Sequence, residues 1–170
     1  MTQHTLVELF HGKHAHANPI ACVEDVTADL ADRRPEGFPH SIWEIVWHMN
    51  YWMDYEIRRI RGENPDYPGH ATESWPSDPL PNELNWNREV ARFAALLDEL
   101  CGLAGSDDDT LERQLKPPAD VADPSSPREP VSVLSVLWQT VVHNSYHVGQ
   151  VALLRRALGI WPPQSGGDTW

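Results

Sequence analysis

The stretch His143-Asn144-Ser145-Tyr146-His147-Val148-Gly149-Gln150 decides how this chain is read. It lies inside a long helical pattern from Val131 to Leu158. Apolar positions recur at Val133, Val136, Val151, Leu154 and Leu158, the spacing of a helix packed in a bundle. Thr140, His143 and His147 fall on that same stripe. The two histidines are four residues apart, so one stands above the other on the face turned to the core. Buried imidazoles need partners, because an unpaired buried polar group is costly. A shared metal ion satisfies such a pair, as do hydrogen bonds from neighbouring helices. A third histidine elsewhere in the chain decides between them.

Working outward, the best third histidine is His48. The segment Pro39-His40-Ser41-Ile42-Trp43-Glu44 opens a helix, with Ser41 as N-cap and Glu44 three residues on, a capping box. The helix runs from Ile42 to about Arg61 with a stripe of Ile42, Ile45, Val46, Met49, Trp52, Met53, Ile57 and Ile60. His48 sits on or beside it. Trp43, Trp47 and Trp52 on the same helix serve as core, and can also wall a pocket. Glu44, one turn before His48, is a candidate base or fourth ligand as well as a cap. Asn144 and Gln150 flank the pair and are candidates to orient ligands or substrate.

The chain of 170 residues is long enough for one domain with a core, spanning residues 1–170. A net charge of −12 and a pI of about 5.0 argue against nucleic acid as a partner. Lysine occurs only at Lys13 and Lys116, and the arginines are scattered or in short pairs. Cys22 and Cys101, both in helical patterns, form no framework and no CxxC, and read as buried thiols in a reducing compartment. No apolar run reaches the length of a membrane span, and no signal-peptide core opens the chain. The expectation is a cytoplasmic protein.

Four helical patterns carry the domain. The first covers Thr5–Phe10, breaks around residues 12 to 18, and resumes from Pro19 to about Val26 behind Asn18 as N-cap. The second is the His48 helix. Residues 63 to 81 form a proline-rich crossover ordered by Tyr67 and Trp75, of the length that covers functional sites. The third pattern runs from about Asn82 to Leu103 on Trp86, Val90, Phe93, Leu97 and Leu100. Residues 104 to 130 form a second connector, with a short extended or helical piece at Leu111–Leu115. The last helix stops at Gly159, and Trp170 is expected to dock back. The architecture expected is all-α, a four-helix bundle with long crossover connections. His14 and His16, at i, i+2, read as exposed or locally bonded, and His4 and His11 as surface residues. His70 is a candidate for substrate contact.

Taken together, His48, the His-x-x-x-His-x-Gly-Gln run of His143, His147, Gly149 and Gln150, the following Leu153-Leu154-Arg155-Arg156-Ala157-Leu158-Gly159, and Pro39-His40-Ser41-Ile42-Trp43-Glu44 with Trp52 resemble the DinB-like/YfiT-like superfamily over nearly the whole chain. The resemblance implies a four-helix bundle. It implies that His48, His143 and His147 bind a divalent metal, commonly nickel or zinc, with manganese or iron as alternatives. Relatives include bacillithiol-using thiol transferases and mycothiol-dependent isomerases, and members are often dimers.

The expected function is therefore a metal-dependent thiol S-transferase or hydrolase acting on a small molecule, with a low-molecular-weight thiol as possible co-substrate, in a homodimer. Three imidazoles with further coordination positions describe a catalytic rather than a structural site. Glu44 and Gln150 are the candidate catalytic side chains. The competing readings are a non-catalytic metal- or ligand-binding bundle of the stress-response kind, and a structural dimer with metal-free core histidines.

Overall fold

The computed structural model describes residues 2–77, 81–117 and 130–166. It is mostly helical. Along the chain come α1 (Thr2–Phe10), α2 (Ala28–Asp32), α3 (Ile42–Ile60), a single 3-10 turn (Ala71–Ser74), α4 (Glu83–Ala104) and α5 (Asp108–Glu112). A two-stranded antiparallel ribbon follows, β1 (Gln114–Leu115) with β2 (Val131–Ser132), and then α6 (Val133–Ala157). No helix among the described residues is long and apolar enough to cross a membrane.

Each long helix starts and stops on local chemistry. At the start of α3, Glu44 N–H donates to Ser41 Oγ and Ser41 N–H to Glu44 Oε2, the reciprocal box expected from the sequence. Its end is closed by Gly62 at φ +89°, with Glu63 N–H on Arg58 O and Gly62 N–H on Arg59 O. α6 ends the same way at Gly159, with Ile160 N–H on Arg155 O and Gly159 N–H on Arg156 O. These paired bonds satisfy the last carbonyls of each helix, and only glycine takes the left-handed residue without strain. Asn82 caps α4, accepting from Leu84 and Asn85 N–H.

The core lies where α3 packs on α4 and α6, with α1 against α4 and α6. Met49, Met53, Phe93, Leu100, Leu137 and Leu154 are all buried in it. Truncating one of its leucines to alanine costs about 2–5 kcal/mol. Arg155, 1% exposed, ties α6 to the chain before α2. It holds both carboxylate oxygens of Asp25 and the carbonyls of Cys22 and Ile160.

Several expectations need correction. The piece from Pro19 to Val26 is a run of turns rather than a helix. Asn18 Oδ1 accepts from Ile20 and Ala21 N–H as a cap should. However, the bonds then alternate between i−4 (Cys22 to Asn18, Glu24 to Ile20) and i−3 (Val23 to Ile20, Val26 to Val23), so no helical ladder is sustained. The last helix begins at Val133, not Val131. Val131 and Ser132 are extended, pairing with Leu115 and Gln114, and Ser132 caps the helix. The connector after α4 accordingly contains α5 and β1. Val90 is only half-buried, and Glu89 takes a buried place beside it, bonded by Asn50 Nδ2. His11 is not a free surface residue, since its Nε2 lies 3.5 Å from Cys101 Sγ. The docking of Trp170 and residues 118–129 of the second connector lie outside the described residues.

Candidate metal centre

α3 and α6 run antiparallel, which sets His48 against His143 and His147. The Nε2 atom of His143 stands 3.3 Å from Nε2 of His48 and 3.2 Å from Nε2 of His147. One ligating nitrogen from each of the three lies within 4.8 Å of the others, and the group contains no carboxylate. Three imidazole nitrogens about 2.0–2.1 Å from one tetrahedral ion would be about 3.4 Å apart. The observed separations match that edge.

Hydrogen bonds on the far side of two rings fix which nitrogen is bare. His48 Nδ1 lies 2.8 Å from the carbonyl oxygen of Ser74. A carbonyl only accepts, so Nδ1 carries the proton and Nε2 keeps its lone pair. His147 Nδ1 lies 2.7 Å from Gln150 Oε1, and Gln150 Nε2 donates to Tyr146 Oη at 3.2 Å. That leaves Nε2 of His147 bare as well. A proton on His143 Nε2 can serve only one of its two close contacts. A cation at the centre satisfies all three nitrogens, so the donor set fits a metal ion.

Burial favours the neutral rings that a metal needs. It pushes the His48 pKa down to about 4, against the raising effect of the Ser74 carbonyl. It pushes His147 down to about 3, helped by its neighbour His143. His143, half-buried, is lowered in the same direction and for the same reason. Desolvation penalises the imidazolium in each case.

The crossover between α3 and α4 forms the roof. Trp75 lies flat between two imidazoles, its ring centroid 3.7 Å from that of His40 and 4.0 Å from that of His48. Tyr67 packs against Trp52 and Tyr55. Both aromatic residues singled out in the sequence therefore order this segment.

Of the other candidates, Gln150 orients His147. Glu44 is engaged in the cap: Oε2 accepts from Ser41 N–H, and Oε1 takes Arg34 at 2.6 Å. Asn144 turns into the core, with Nδ2 on Met53 Sδ. His14 is exposed, His16 bonds its neighbour Ala17 O, and His70 is exposed and is not part of the three-histidine group. The sequence reading missed the Ser74 carbonyl, which has no side-chain signature. It also missed Glu56, although that residue sits eight positions after His48 on the same helical face.

These features agree with a comparison across families. The sequence pattern of the DinB superfamily matches residues 13–151. The chain belongs to the DinB superfamily. All three histidines of this DinB protein fall inside the matched region, as do the Ser41 cap and the Trp75 roof. No curated protein shows a significant match to it.

Beside the centre, a cavity of about 310 Å³ runs along the α3–α6 groove. Its walls are Trp52, Glu56, Gln139, Thr140 and His143. This is the lower end of the volume range for small-molecule sites.

Proposed function

We propose that this DinB protein holds a divalent metal ion on His48, His143 and His147 and acts on a small molecule as a thiol S-transferase or a hydrolase. The convergence of the three Nε2 atoms carries this reading. Nickel and zinc suit three neutral imidazoles, and manganese or iron are alternatives. Such an ion supplies Lewis acidity and lowers the pKa of a water or thiol that binds it. The protein's own part is positional. Ser74 O and Gln150 hold two ligand rings in one tautomer, Trp75 and Trp52 wall the centre, and the cavity admits substrate next to His143.

We also read the long helices α1, α3, α4 and α6 as a four-helix bundle. The pattern of packing supports this, with α3 and α1 each contacting both α4 and α6. A homodimer formed through α6 is part of the proposal. Val142, Tyr146 and Leu153 are more than half exposed along one face, and Gly149 between them leaves open space. A cytoplasmic setting suits the free Cys22 and Cys101.

The test is metal analysis of protein purified without a histidine tag, beside His48→Ala. The reading requires one ion per chain in the wild type and loss in the variant. Equal metal in both, or none in either, overturns it. A second reading, a non-catalytic metal- or ligand-binding bundle, is favoured by one observation: Glu44 is engaged in the helix cap, and the metal group has no carboxylate. Tight metal binding without thiol conjugation or ester or amide hydrolysis, with nickel, zinc or manganese loaded, would select it.

A further inference from the structure

The cavity beside the centre has two chemically different ends. His143 closes one. Glu56 lies at the other, eight residues and therefore about 12 Å along α3 from His48. That is too far for its carboxylate to serve as a ligand, and it is absent from the three-histidine group. Between the two ends the walls are the indole of Trp52 and the side chain of Thr140.

Glu56 is set for hydrogen bonding. Its Oε2 takes Arg59 Nη1 at 2.6 Å, and both side chains are largely withdrawn from solvent, at 17% and 10% exposure. Oε1 takes no hydrogen bond among the described residues, and Glu56 lines the cavity, so Oε1 is the oxygen left to accept from a bound molecule. The Arg59 partner neutralises the carboxylate and opposes a second cation. A neutral donor, such as a hydroxyl or an amide N–H, meets no such opposition. Burial raises the Glu56 pKa, partly offset by Arg59, which is the mark of a desolvated carboxylate.

We infer that Glu56 is a specificity-determining residue, selecting small molecules that carry a metal-binding head, an apolar middle and a neutral hydrogen-bond donor at the far end. This rests on the proposed metal centre and names the class of substrate it serves. Gln139, on the opposite wall, supplies a second polar group at the same level. A donor that answers the second oxygen of this largely withdrawn carboxylate is worth about tenfold in affinity over an analogue that does not.

The test uses the full chain loaded with cobalt(II) and follows the visible bands of the ion. The probes are hexanohydroxamate and its terminal-hydroxyl and terminal-ammonium derivatives. The hydroxyl form should bind about tenfold more tightly than the methyl-ended parent, and the ammonium form no more tightly than the parent. In Glu56→Leu the hydroxyl preference should fall to about one. Should that variant fail to fold, Glu56→Leu with Arg59→Met removes the pair together and carries the same comparison. A hydroxyl preference that is absent in the wild type, or that survives in the variant, overturns the inference while leaving the metal centre standing. Bands that respond to no hydroxamate likewise overturn the inference alone, whereas a chain that binds no cobalt overturns the metal centre and the inference with it.

Discussion

Trp75 stacks on His48 with ring centroids 4.0 Å apart and planes 13° from parallel, while the preceding residue, Ser74, offers its carbonyl to the same imidazole. One short turn of the α3–α4 crossover thus controls both the face and the tautomer of a candidate ligand. Replacing Trp75 by alanine should loosen that turn and weaken metal binding by about 10–100-fold, the range for groups that orient a ligand. Trp75→Phe should retain most of the affinity. Competition against a chromophoric chelator measures both, and equal affinity in wild type and Trp75→Ala would reduce the stack to ordinary packing.

Gln150 tests the other supported ring. His147→Ala should abolish stoichiometric metal, whereas Gln150→Ala should keep the stoichiometry and lose about 10–100-fold in affinity. If Gln150→Ala binds as tightly as wild type, the bond to His147 Nδ1 does not orient the ligand.

The depressed histidines make the metal-free protein sensitive to acid. His48 and His147 titrate near 4 and 3 when folded but near 6.5 when unfolded. Between those values the unfolded chain binds protons that the folded chain refuses, so acid favours unfolding. Stability is complete above about pH 6.5 and declines as pH falls through 6 and 5 toward 4. The melting temperature of chelator-treated protein, followed by circular dichroism, should drop across that window. The double substitution His48→Gln with His147→Gln should flatten the slope, and an unchanged slope would place the acid sensitivity elsewhere.

Arg155 provides a stability test remote from the chemistry. It is buried and bonded to Asp25, Cys22 O and Ile160 O. Asp25 in turn is held below the usual carboxylate range, chiefly by its hydrogen bond from Arg155. Arg155→Ala takes the guanidinium from two carbonyls and from that carboxylate, which keeps Gln164 N–H, and should cost about 3–5 kcal/mol. Denaturant titration measures the loss. The folded fraction should still bind one metal ion per chain.

The three clustered histidines were legible because helical periodicity places side chains at known angles. The i, i+4 spacing of His143 and His147 fixed their face, and the stripe around His48 fixed its own. The helix ends were legible for a similar reason, since Ser41, Asn82, Gly62 and Gly159 each act within a few residues of themselves. What could not be read depended on contacts distant in sequence. The pairing of Val131–Ser132 with Gln114–Leu115 turns two residues of an apparent helix into a strand. The bond from His48 to Ser74 O spans 26 positions and uses a main-chain atom common to every residue type. His11 reached Cys101 across 90 positions in the same unannounced way. Asn18-Pro19 showed the converse, a local signal obeyed for one turn and then abandoned.

The anchor on His48 also determines what kind of damage this protein tolerates. Because the acceptor at position 74 is a peptide oxygen, exchanging that residue for another leaves the atom in place. Only rerouting the polypeptide can withdraw it. A change in the length or path of the crossover that moved position 74 would therefore cost His48 its anchor with every histidine still encoded.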